Sequence, residues 1–99
     1  QEGSMSKEDY VNARIKIKSI TVDFSIIGES GGRDDDLQQI DGIDNSLENR
    51  LNTLGITTLD QISKMDDDMS DDVNDAIEYM PGRIRRQLWA EQAKILLES

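Results

Sequence analysis

The chain has 99 residues, a formal net charge of −10, 35% hydrophobic residues, and neither cysteine nor histidine. That length suits one small domain with an extension, burying about two-thirds of its unfolded surface and leaving little room for a deep substrate cavity. Without cysteine or histidine there is no disulfide framework, thiolate metal site or imidazole base, so a cytoplasmic protein with no metal is expected; with its acids scattered along so short a chain and no shaped cleft to gather them, no enzyme and no cofactor are expected either.

Gln1, Glu2, Gly3 and Ser4 read as a cloning remnant before a start at Met5, which sets residues 1–5 apart. Residues 6–33 read as an N-terminal arm and linker. Ser6 to Asp9 resembles a capping box, with Tyr10, Ala13, Ile17 and Ile20 at helix-like intervals. The same region also carries the period-2 pattern of a half-buried strand. Ile15 and Ile17 alternate with lysines, and Ile20, Val22, Phe24 and Ile26 alternate with Thr21, Asp23 and Ser25. The phase slips at Ser19, so the favoured reading is a helical or irregular entry to about residue 18, then an extended segment over 20–27. A lone strand leaves backbone groups and an apolar face unpaired. It must pack along the following domain or pair with a second copy, which makes Ile20, Val22, Phe24 and Ile26 candidates for self-association and a homodimer. Residues 28–32, with three glycines, read as a linker.

Residues 34–99 read as a helical domain. Asp34, Asp35 and Asp36 favour a helix start, with Leu37 and Ile40 on one side of a short first helix. Gly42 supplies the freedom for a tight turn. Asn45 or Ser46 can cap a second helix, in which Leu47, Leu51 and Leu54 recur at helical spacing. Gly55 stands where a left-handed C-cap belongs, so Ile56 is expected to fold back onto Leu51. Thr58 and Gln61 form a capping box for a short helix that buries Leu59 and Ile62.

The acids Asp66, Asp67, Asp68, Asp71 and Asp72 invite a calcium reading, but an EF-hand loop started at Asp66 puts Asp71 and Ile77 where glycine and a bidentate acid are needed. A solvated helix start is the expected reading. Val73, Ala76, Ile77 and Met80 give a helical stripe stopped by Pro81 and Gly82. A last helix is expected from about residue 83 to 97, with Ile84, Leu88, Ala93 and Leu96 facing the core and Trp89 as a packing anchor. Arg83, Arg86 and Lys94 would share its outward face.

Charge is unevenly spread. Residues 1–33 are neutral, 34–82 carry −12, and 83–99 carry +2. Such a body steers cationic partners toward itself and repels a polyanion, though an acidic surface also serves solubility alone.

Residues 37–55 together, with Gly42, Ile43, Leu47, Leu51 and Gly55, resemble the helix-hairpin-helix family, whose loop reads hydrophobic-Gly-hydrophobic-Gly and offers N–H groups to a phosphate. A closer resemblance, over about residues 34–97, is to small bacterial domains of this kind. These run on through Gly-Ile-x-Thr and Gln-Ile to Gly-Arg-Ile-x-Arg-x-x-Trp-x-x-Gln-Ala, here Gly55 to Thr58, Gln61 with Ile62, and Gly82 to Ala93. The resemblance implies a mainly α, SAM-like bundle of four or five short helices that is often expected to bind nucleic acid. Asp44 stands where the second hairpin glycine belongs and Asp41 flanks it, and two carboxylates there repel a phosphodiester.

The expected function is therefore a non-catalytic binding module that docks or assembles proteins, its partner a protein or a second copy. The alternative is backbone binding of DNA or RNA by Gly42, Ile43 and Asp44 of the hairpin with Arg50, Arg83, Arg85, Arg86 and Lys94. For those arginines, salt bridges to the acidic loops are the simpler role. No apolar run approaches the roughly 20 residues that span a bilayer.

Overall fold

The computed structural model describes residues 9–10, 13–15, 22–29 and 31–98. Residues 9–10 and 13–15 are helical. There follow α1 (Phe24–Ile27), a 3-10 turn (Leu37–Gln39), α2 (Asn45–Leu54), α3 (Leu59–Ser63), α4 (Asp67–Ala76), α5 (Arg83–Arg86) and α6 (Trp89–Glu98). No strand occurs among the described residues, and no helix among them is long and apolar enough to cross a membrane.

The mainly helical expectation holds for the domain. Leu47, Leu51 and Leu54 put one face of α2 into the core. Gly55 ends that helix in the left-handed region at φ 115°, and the Ile56 N–H returns to the Leu51 carbonyl at 2.9 Å, the closing bond of a Schellman turn. The Thr58–Gln61 capping box is present. Helix α3 packs most extensively against α6, so the middle of the chain is held by its end.

Gln61 does more than cap. It is fully buried, its Oε1 accepts the N–H groups of Thr57 and Thr58 at 2.8 and 3.1 Å, and its Nε2 donates to the carbonyls of Gly28 and Gly55 at 3.0 and 3.1 Å. One amide thereby ties the linker, the end of α2 and the start of α3.

The extended segment expected over 20–27 is corrected. Phe24–Ile27 form one helical turn, because the Asp23 carboxylate accepts the Ser25 N–H at its start and Gly28, at φ 84°, stops it. Bonds from the Ser25 hydroxyl and N–H lower the pKa of Asp23 below the usual carboxylate value. Val22 and Ile27 are buried with Ile15 in the domain core, and the Phe24 ring lies against Gly55. The arm thus packs along the domain, one of the two ways out for an apolar arm. Of the four self-association candidates, Val22 is buried, Phe24 half-buried and Ile26 exposed. Ile20 lies outside the described residues, as do Ile17, Ser19 and the Ser6 end of the first capping box.

Two further expectations are corrected near the C-terminus. Helix α4 ends at Ala76 and not at Pro81, because Glu78 takes φ 58° and closes a Schellman turn, with Tyr79 N–H to the Asn74 carbonyl at 3.1 Å. Met80 is consequently exposed and off the apolar stripe. Arg14 holds Glu78 in a two-pronged pair at 2.6 and 2.8 Å, anchoring the arm to this turn.

The final helix is likewise broken in two. Leu88 adopts φ 58° between α5 and α6, which turns its side chain outward, 53% exposed, while Ile84, Trp89 and Ala93 remain buried and Leu96 partly so. A left-handed leucine is strained, and the surroundings hold it: the Gln92 N–H donates to the Leu88 carbonyl at 2.8 Å and the Gln92 Nε2 to the Gln87 carbonyl at 2.8 Å.

Candidate functional site

The hairpin at residues 40–43 is closed by the Ile43 N–H donating to the Ile40 carbonyl at 3.1 Å, with Gly42 at φ 107° in the third position, which a type II turn reserves for glycine. Ile40 and Ile43 are buried on either side, so the turn is pinned by its flanks. Its glycine is also needed for space. A Cβ at Gly42 would overlap the Gln87 amide and sit 3.1 Å from the Trp89 indole nitrogen.

Two glutamines of the Gly82 to Ala93 motif, to which the sequence assigns no role, fix this hairpin from α6 and the bend before it. Gln92 accepts the Asp41 N–H at 2.8 Å and returns a bond from its Nε2 to the Asp41 carbonyl at 3.2 Å. Gln87 accepts the Trp89 Nε1–H at 2.9 Å directly beside Gly42. The available signal was their spacing around Trp89: polar amides flanking a buried indole have to find partners.

Asp44 corrects the expected cap. It, and neither Asn45 nor Ser46, is the N-cap of α2, with φ −98° and its carboxylate accepting the Leu47 N–H at 2.8 Å. Asp therefore enters the glycine position with no left-handed strain, and stabilises the helix by capping and by its charge at the positive end of the dipole. The same logic recurs along the chain, with Asp36, Thr58 and Asp66 each capping a helix start. Glu48 of α2 reaches back to the Leu37 N–H at 3.0 Å and fixes the 3-10 turn against it.

Of the N–H groups around the hairpin, those of Asp41, Ile43 and Leu47 are thus engaged within the chain. The carboxylates of Asp41 and Asp44 stand exposed at its mouth and form no ion pair among the described residues.

The basic candidates separate. Arg50 donates to the Ile77 carbonyl at 3.2 Å and ties α2 to the end of α4. Arg85 pairs with Asp67 and Asp71 of α4 at 3.5 and 3.3 Å. Arg83, Arg86 and Lys94 form no such pair among the described residues. Arg85, Arg86 and Lys94 line one groove, and neither Arg50 nor the hairpin residues 40–44 belong to it.

A second glycine turn precedes α5. Gly82 takes φ 75° with no atom near a would-be Cβ, and Asn74 braces the turn by donating to the Tyr79 and Met80 carbonyls and accepting the Ile84 N–H. Several acids stand at helix starts, and no three of them converge on a common point fit for a metal ion among the described residues.

Comparison with known proteins agrees with this geometry. Residues 37–97 match the family described as the RS2/RL21/YNQ2 HHH domain. An "Uncharacterized 22.9 kDa protein in nqo2 3'region" of Paracoccus denitrificans is 40% identical over 62 residues, which cover 63% of this chain and 29% of that protein. The chain therefore spans less than a third of that relative's length. No solved structure matches it. By the match over residues 37–97, with its glycine hairpin between two helical segments, the chain belongs to the RS2/RL21/YNQ2 helix-hairpin-helix domain family.

Proposed function

We propose that this helix-hairpin-helix module docks or assembles proteins without catalysing a reaction, and that its first hairpin is a structural joint and not a phosphate clamp. The observation that carries this reading is the Asp44 carboxylate accepting the Leu47 N–H at 2.8 Å. A clamp leaves such N–H groups bare and surrounds them with cations. Here one is capped by an anion, the Asp41 N–H is taken by Gln92, and the surrounding stretch 34–82 carries −12.

Coulomb repulsion between a polyanion and that body is long-ranged at low salt, whereas a protein partner meets it with short-range complementarity. Nucleic-acid binding is the second reading, favoured by Arg83, Arg86 and Lys94, which no acid of the described residues neutralises.

Asp44→Gly tests the choice. The variant restores the family's glycine and removes the carboxylate at a cost of a few tenths of a kcal/mol in helix capping. Titrated against labelled duplex DNA, it is expected to bind no better than the parent chain. A gain of about tenfold or more, equivalent to about 1.4 kcal/mol, would show the hairpin to be a clamp masked by one side chain.

A further inference from the structure

A groove of about 450 Å³ opens between the start of α4, α5 and the first turns of α6. Ser70 lines it from α4. This side chain is 5% exposed, and its hydroxyl has no hydrogen-bond partner among the described residues. Buried hydroxyls are ordinarily bonded, so an unpartnered one in a groove wall marks a place for a ligand atom.

Arg86 and Lys94 line the same groove, exposed and without ion pairs among the described residues, while Arg85 beside them is committed to Asp67 and Asp71. The groove also has an apolar side, formed by buried Ile84 and by Leu88, whose left-handed backbone places it 53% exposed at the groove. An exposed leucine held in a strained conformation, in one groove with a buried hydroxyl and two cations unpaired among the described residues, is a composite of apolar and anion-binding contacts.

We propose that this groove takes a short peptide segment of a protein partner that presents a carboxylate beside an apolar side chain. The apolar side chain packs on the exposed Leu88. The carboxylate accepts from Arg86, Lys94 and the Ser70 hydroxyl, the charge-assisted type of contact that fixes orientation.

Charge complementarity selects this occupant over a nucleic-acid strand. Asp67 and Glu91 line the same groove as Arg86 and Lys94, so its charge is mixed, which suits a single carboxylate set against the two cations better than a continuous run of phosphates. The volume falls within the range of about 300–1,000 Å³ typical of ligand pockets, large for a single inorganic phosphate and suited to a few side chains. The inference rests on the protein-docking reading and names the chemistry of the partner.

The test is a titration of the full chain, 15N-labelled, with the blocked tetrapeptide acetyl-Leu-Glu-Leu-Glu-amide, its Leu-Gln-Leu-Gln counterpart, and a single-stranded oligonucleotide. The expected result is amide shifts centred on Ser70, Arg86, Leu88 and Lys94 with the acidic peptide, and binding about tenfold weaker with the glutamine peptide. The double variant Arg86→Glu, Lys94→Glu should lose a further factor of about ten or more, and Ser70→Ala about threefold with no fall in unfolding temperature.

Equal affinity for the two peptides, or shifts centred on residues 40–44, overturns the proposal. Silence toward both peptide and oligonucleotide removes the groove but leaves the docking reading standing. Oligonucleotide shifts at Arg86 and Lys94 in place of peptide shifts remove both.

Discussion

Trp89→Ala is expected to destabilise the domain by about 3–5 kcal/mol, a large part of the roughly 5–15 kcal/mol that holds a small domain together. Trp89 is fully buried, its ring lies 5.9 Å from that of Tyr79 at an interplanar angle of 30°, and its indole nitrogen donates to Gln87 at 2.9 Å. It is also the wall against which Gly42 closes. Removing it leaves a large cavity under the hairpin and a Gln87 amide oxygen without its strongest donor. Urea unfolding followed by circular dichroism measures the loss as a shift in midpoint at unchanged slope. A loss under about 1 kcal/mol would mean that the indole is not the anchor, and that the hairpin is held by its own flanking isoleucines.

Gln61→Leu should cost about 2–4 kcal/mol, although it adds apolar surface and nearly conserves volume. The reason is what it strands. The N–H groups of Thr57 and Thr58 and the carbonyls of Gly28 and Gly55 share this one buried amide. Replacing one partner with a hydrocarbon leaves the others desolvated and unbonded, which costs more than the bonds are worth on balance. Hydrogen exchange gives a local readout, since the Thr57 and Thr58 amides should lose protection ahead of the α2 amides around Leu51. Unchanged exchange at those two positions would show that the linker and the α2–α3 turn do not depend on the side chain.

What was legible in the sequence is the part written in local chemistry. Gly42 and Gly55 stand at positive φ because the turn and the C-cap require it, Thr58 with Gln61 forms its box from a spacing of three, and Leu47, Leu51 and Leu54 face the core by helical period. Each of these is decided within one or two turns of chain. The alternating run ending at Ile26 misled because period-2 patterning says which residues can share a strand face, but not whether a second strand exists to receive them. With α3 available to pack against, Phe24–Ile27 instead closed a helical turn that buries Ile27.

The breaks at Glu78 and Leu88 were not legible either, since both residues favour helices and neither is a usual left-handed residue. Contacts from far along the chain or across the bend hold them: Arg14 on Glu78, and the Gln92 side chain on the Gln87 carbonyl. The candidate site was readable in the same proportion. Gly42, Ile43 and Asp44 were found because a hairpin is a local object, while the clamp from Gln87 and Gln92 is made by tertiary packing. Asp44 shows how the two levels differ. Its charge at the loop was plain from the sequence, but its service as the cap of α2 needed the backbone direction at φ −98°.

The most direct measurement is anisotropy of labelled single-stranded, duplex and branched DNA titrated with this chain at about 50 mM and about 200 mM salt, a range over which phosphate-driven complexes weaken by orders of magnitude. With the hairpin capped by Asp44 and a −12 charge over residues 34–82, no complex is expected at the lower salt. A complex that forms there and dissociates at the higher salt would contradict the docking reading and make the helix-hairpin-helix fold a nucleic-acid binder in this chain.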